Sequence, residues 1–339
     1  MSRESFSKIR ESHKKTDDGL TCAPIGFIMD EIEPHCVYTA DEMLLEGLKL
    51  AGYKEERVAN WKEKSKVDKF RSRYGSVPVV LCEIWEDLQT TEDLETRIPP
   101  KKLKLNYYLM AHHFLKRYPV ETERESAYQS TAKTQREWVW YYVNKIGRLH
   151  IEKIGWGEEE EGDDIWVCTV DGTMSQAYEQ MHPDIAKDPA MFDFKHHTAG
   201  YNTEIVLSIF RSQVLQFRPA EKAGDWPDRV IFRDNGGLRD KLRATEKKCI
   251  ADGGYHAKED NDVLSTPNGH DHPSVRKFKS RALKRHENFN SMLKSFKCCD
   301  DTHRHGQFRL QECITAVVVI CQYQMENGNP LWNIYAGDM

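Results

Sequence analysis

The sequence predicts a mixed α/β domain preceded by an all-α region with helix-turn-helix-like spacing. Two observations carry this. Apolar residues recur at helical spacing from residue 40 to 154, and beyond the Gly- and acid-rich seam GWGEEEEGDD (155–164) short β-like runs alternate with helices. The chain of 339 residues is also longer than one small domain needs.

Residues 1–22 read as a flexible polar arm, and 23–154 as the helical region. Met43, Leu44, Leu48, Leu50 and Ala51 outline one amphipathic segment, and Val79, Val80, Ile84, Trp85 and Leu88 a second. TTEDLETRIPP (90–100) is a linker closed by two prolines. Helices follow over 101–119, 121–129 and 130–154, the last capped by Ser130 or Thr131. Their tight joints suit either a helix-turn-helix or a small supporting bundle. Trp138, Trp140, Tyr141 and Tyr142 sit at helical spacing and read as helix core, not as a base-stacking platform.

Past the seam, with EEEE (158–161) read as a solvated linker, DIWVCTVD (164–171) is a strand running into Asp171. EIVLSIF (204–210) and QVLQFRP (213–219), joined by Arg211 and Ser212, form a hairpin. A helix over 228–244 precedes the strand KKCIA (247–251), which ends at Asp252. Helices over 273–297 and 306–327 close the domain, which spans 163–335.

An apolar fraction of 39% is enough for a real core, and a formal charge of −5 leaves nucleic-acid binding to local patches. The nine cysteines include no Cys-x-x-Cys pair, and Cys168, Cys249, Cys313 and Cys321 lie in apolar runs. They read as reduced, buried thiols in an intracellular compartment. The longest apolar run, AVVVIC (316–321), is too short to span a bilayer, so no membrane association is expected.

Three carboxylates stand out. Asp171 and Asp252 each follow a strand and precede glycine, so neighbouring strands would bring them together where open α/β sheets bind ligands. Two adjacent carboxylates need either a shared proton or a divalent cation, and hard oxygen ligands suit Mg²⁺ or Mn²⁺. Glu287, in a predicted helix, points away from the stripe of Val275, Phe278, Ala282, Phe289, Met292, Leu293 and Phe296. A solvated glutamate would do the same. Yet it is the single acid among eight bases in residues 274–297, a local charge of +7 suited to holding phosphates through Lys279, Arg281, Lys284, Arg285 and Lys294. His286 would either orient Glu287, touch a phosphate or be solvated; His196 and His197 read as a surface loop pair. CCDDTHRH (298–305) has spacing unsuited to a zinc finger.

TVDGT, AGYNTEIVLSIF, AGDWPDRVIFRDNGGL, IADGGY, TPNGHDHPSVRKFKSRALKRHENFNSMLKSFK and AVVVICQYQMENGNPL, in this order, resemble DDE transposases of the PIF/Harbinger-like group, the DDE superfamily endonucleases. The match covers about 165–335, and more weakly KRYPVETERESAYQSTAKTQREWVWYYV before it. The resemblance implies an RNase H-like mixed sheet flanked by helices, with Asp171, Asp252 and Glu287 as the catalytic, metal-binding triad. The spacing of 34 residues between Asp252 and Glu287 fits such cores. Asp228 matches a further aspartate in altered surroundings, EKAGDWPD, and is a reserve carboxylate. Two Mg²⁺ or Mn²⁺ ions, about 3.5–4 Å apart, would serve phosphodiester hydrolysis and strand transfer at transposon ends. Also implied are DNA partners (terminal repeats and target), a Myb-like accessory protein, a homo-oligomer and a nuclear location. Sequence preference would fall to Lys133, Arg136 and Lys145 in the helical region. The competing expectations are a domesticated, catalytically idle derivative that binds DNA, and a hydrolase of another substrate.

Overall fold

A computed structural model describes residues 37–90, 103–162, 164–178, 188–332 and 334. The expected arm and most of the 90–100 linker lie outside the described residues. The described residues belong to one compact unit, within which the 155–164 seam is a change of architecture.

The first half is helical throughout: α1 (Ala40–Leu50), α2 (Glu55–Ala59), α3 (Glu63–Tyr74), α4 (Pro78–Thr90), α5 (Leu105–Arg117), α6 (Glu121–Tyr128), α7 (Ala132–Arg148) and α8 (His150–Lys153). Local chemistry sets the ends. Thr39 and Glu42 form a reciprocal capping box at α1, Thr131 caps α7, and Gly75 closes α3 with φ +91°. Met43, Leu44, Leu48, Val80, Ile84, Trp85 and Leu88 are buried, as their spacing predicts, whereas Leu50 and Ala51 are half-buried and Val79, at the first turn of α4, is exposed. Tyr142 is buried in the core, whereas Trp138, Trp140 and Tyr141 are half-buried and pack against it, Trp138 stacking on Tyr107.

The second half comprises α9 (Glu158–Glu161), β1 (Trp166–Gln176), β2 (Phe192–Asp193), β3 (Thr198–Ser208), β4 (Val214–Lys222), α10 (Asp228–Arg233), α11 (Leu238–Ala244), β5 (Lys248–Ile250), β6 (Leu264–Ser265), α12 (Pro273–Lys294), α13 (Lys297–Asp300) and α14 (Gln307–Glu326). The six strands form a mixed sheet of order β2–β3–β1–β5–β6, with β4 also on β3. β1, β5 and β6 run parallel, and β3 runs against β1, β2 and β4.

Several expectations need correction. β1 continues past Asp171 to Gln176, because β3 extends back to Thr198 and pairs with the whole of it. The β3–β4 connection is 209–213, longer than the expected two residues. The single helix over 228–244 is two, broken where Gly236 takes φ +72°. EEEE is not solvated throughout: Glu160 is buried and accepts from Ser208 and Arg211.

α14 is buried along nearly its whole length, packing on α7, α4 and α12 and on β4. Its run AVVVIC is rich in β-branched residues, and burial on several sides outweighs their weak helix propensity. Gly147 of α7 lets the two helices approach closely, its missing Cβ lying against Thr315. Helical half and sheet therefore share one core. The seven described cysteines are free and buried, and no described helix is long and apolar enough to cross a membrane.

Candidate functional site: a carboxylate cluster at the sheet edge

The parallel pairing of β1 with β5 sets Thr169 opposite Ile250. Carried two residues further, this register puts Asp171 level with Asp252, just where β5 leaves the sheet. Asp171 is half-buried; its Oδ1 accepts from Gly172 N (2.9 Å) and its Oδ2 from Asn290 Nδ2 on α12 (3.2 Å). Burial, then the charges of Asp252 and Asp228, push its carboxyl up to about 6. Asp252 is exposed and caps the turn 253–255 through Gly254 N (2.8 Å). A side chain at Gly253 would meet nothing within 4 Å, so the space beside Asp252 is open.

Strand alternation divides the cluster between the two faces of the sheet. Asp171 faces α12, whereas Gly172 faces α10 and lies against the carboxylate of Asp228, where a Cβ would collide with it. Glu204, opposite Gly172 in the β1–β3 ladder, shares this second face with Asp228. Glu204 is 2% exposed, its Oε2 has no hydrogen-bond partner, and burial followed by Asp228 pushes its carboxyl up to about 8. Tyr255 is fully buried there with an unpartnered hydroxyl. Gly172→Ala is expected to displace Asp228 and cost about 1–3 kcal/mol, read as a lower urea midpoint.

Glu287 is exposed on α12, as its helical phase predicts, and makes no hydrogen bond or ion pair within the described residues. Asn290, one turn on, is the α12 residue that touches the pair. Two of the expected phosphate contacts serve the fold instead. Lys279 is buried, donating to Asp271 (3.0 Å) and Thr266 O (3.3 Å). Arg285 is 1% exposed and donates to the carbonyls of Ser208, Ile209 and Arg211, each at 2.7 Å. His286 is buried as well, against a solvated or phosphate-touching role. The buried face of α12 is wider than its apolar stripe: Lys279 and Arg285 cover backbone carbonyls there, and His286 is buried with both ring nitrogens unpartnered. Lys284 and Lys294 remain exposed, and Arg281 is half-buried.

In the helical region Arg136 is tied to Glu121 (2.8 Å) and Lys145 donates to Leu88 O (3.2 Å), leaving Lys133 exposed. His196 and His197 lie exposed on the β2–β3 turn, where His196 pairs with Asp193. The charges of Lys195 and His196 favour the ionised carboxylate of Asp228, against the burial that raises its pKa. Cys298 and Cys299 point into the core and His303 stacks on Tyr118.

Sequence reasoning missed Asn290, Glu204 and Lys195. Asn290 was findable, since it lies three residues after Glu287 and on the same helix face. Glu204 was hidden inside an apolar strand.

The donors at the sheet edge are carboxylate oxygens, which fit a hard divalent cation, and Mg²⁺ is commonly held by one or two carboxylates plus waters. Among the described residues no three His, Cys, Asp or Glu side chains stand in ligating geometry. No family model, curated protein or solved structure matches the chain.

Proposed function

We infer that the protein is a metal-dependent DNA endonuclease of the DDE transposase kind, hydrolysing phosphodiesters and transferring strands at transposon ends. The observation that carries this reading is the register that sets Asp171 level with Asp252 at the open edge of a mixed sheet. A sheet in which β3 alone runs against its neighbours is compatible with an RNase H-like core.

Asp171 and Asp252 would hold Mg²⁺ or Mn²⁺, with Glu287 reaching in from α12 as the third ligand. Cations bound there would make a water or a DNA 3′-hydroxyl nucleophilic and stabilise the leaving oxygen. The protein's own groups prepare the site. Asn290 holds Asp171 in one orientation, and the turn at Gly253 and Gly254 keeps the approach to Asp252 free of side chains. Asp171 must lose its proton to accept a cation, so Mn²⁺ affinity should rise as pH passes about 6.

A second reading, a catalytically idle DNA-binding derivative, is favoured by one observation: among the described residues Glu287 does not join the aspartate pair in a group of three in ligating geometry. Two measurements separate the readings. Purified protein with Mn²⁺ should nick plasmid DNA, and Asp171→Asn or Asp252→Asn should lower the rate at least ~10³-fold while the fold melts as before. Calorimetry should show Mn²⁺ binding lost in the same variants. Cutting unchanged in either variant would sink the assignment; Mn²⁺ binding without cutting would favour the idle derivative.

A further inference from the structure

We propose that Lys294, Lys116, Arg71 and Arg117 form a phosphate-binding track that leads a nucleic-acid strand from the aspartate pair to helices α3 and α5. The track builds on the nuclease reading of the same site, and it draws on three elements far apart in sequence.

It starts at Asn290, whose amide touches Asp171. Lys294 lies four residues on along the same helix face, an advance of about 6 Å. The next residue, Ser295, receives Lys116 of α5: the ammonium donates to its carbonyl (2.7 Å) and hydroxyl (3.3 Å) and lies 5.2 Å from the centre of the Phe296 ring. α3 is pinned to the same spot. Its C-terminal Gly75 lies against the Phe296 ring with no room for a Cβ, and Gln324 donates to the Gly75 carbonyl (2.9 Å). Arg71 therefore stands one turn back, beside Lys116. Burial and then the nearby charges of Arg71 and Arg117 lower the Lys116 pKa, in keeping with cations that crowd one another.

Crowded cations are unfavourable unless something neutralises them. Elsewhere the protein neutralises its own: Lys279 has Asp271, Arg136 has Glu121, and Lys297, at the border of the track, has Asp300 and Asp301. Arg71, Arg117 and Lys294 are exposed and have no acidic partner among the described residues. In a chain of net charge −5, Arg71 and Arg117 gathered around Lys116, with Lys294 adjoining the Ser295 that Lys116 holds, are cations without an acidic partner among the described residues and call for an external polyanion. Guanidinium forks and point-charge ammoniums suit phosphate oxygens, which position a strand without reading its bases.

The test measures binding of the full chain to a random 30-base-pair duplex and to the matching single strand by fluorescence anisotropy. EDTA is present so that nothing is cut, and salt runs from 50 to 200 mM. The triple variant Arg71→Glu, Arg117→Glu, Lys294→Glu should bind at least ~30-fold more weakly at 100 mM salt. Its salt slope should fall by roughly 2–3, since each phosphate contact contributes about 0.9 for duplex and 0.7 for a single strand. A control of equal charge change away from the track, Lys54→Glu, Lys62→Glu, Lys258→Glu, should keep the parent slope. Whichever nucleic acid shows the larger loss identifies the strand form the track holds. Equal losses in both triples, or an unchanged slope in the track variant, would overturn the proposal. Should the glutamate triple melt early, the corresponding glutamine triple is read by the same criterion. Because cutting is not the readout, failure of the nuclease reading would leave these results intact and separately interpretable.

Discussion

Replacing Glu204 by glutamine is expected to stabilise the protein by a few kcal/mol at pH 8 and to change little at pH 4.5. The carboxyl of Glu204 is buried beside Asp228, and Arg218, the cation that attracts it, is already bound to Glu221 and Asp234. An unneutralised buried carboxyl keeps its proton, so in the folded state it ionises only near pH 8, against 4.5 when exposed. Between those values the unfolded chain binds fewer protons than the native one, and stability falls as pH rises. The contribution is whole below 4.5 and lost above 8, at about 1.4 kcal/mol for each pH unit in between. Glutamine has nearly the same shape and never ionises, so it removes this slope. Urea unfolding of both proteins at pH 4.5, 6 and 8 checks it. Parallel pH curves for parent and variant would mean that Glu204 finds a partner when ionised.

Arg285→Ala should cost about 3–5 kcal/mol, the expected range for leaving buried polar groups without their charged donor. The guanidinium spans three carbonyls at the β3–β4 connection, and no other described side chain is hydrogen-bonded to them in its place. Arg285→Lys should recover little, because an ammonium cannot reproduce the planar fork that reaches all three. Lys284→Ala next door, at an exposed position, should stay within about 0.5 kcal/mol of the parent. Thermal melting of the three variants decides this. A small loss for Arg285→Ala would return that residue to the phosphate surface.

Much of the architecture was legible because its signals are local. Thr131 marks a helix end through a hydrogen bond made within a few residues, and the apolar spacing around Met43 and Leu48 needs only the helical period. Asp171 and Asp252 were legible as a pair, since each closes an apolar run and precedes glycine. Where the reading missed, the deciding partner was distant. β1 outran Asp171 because β3 supplied a long neighbour, and Glu160 was buried because Ser208 and Arg211 came to meet it.

The basic helix α12 shows the division most clearly. Its residues alone dictate a long helix with an apolar stripe and an exposed Glu287, because the angle between side chains on one helix is set by the backbone. Whether each cation on it was solvent-facing or structural depended on what packed alongside. The β3–β4 connection brought three carbonyls over Arg285, and Asp271 came within reach of Lys279, whereas among the described residues nothing acidic approached Lys294. Periodicity tells which way a side chain points. Only the tertiary structure supplies the group it meets, and for a buried charge that group decides between a structural role and a surface one.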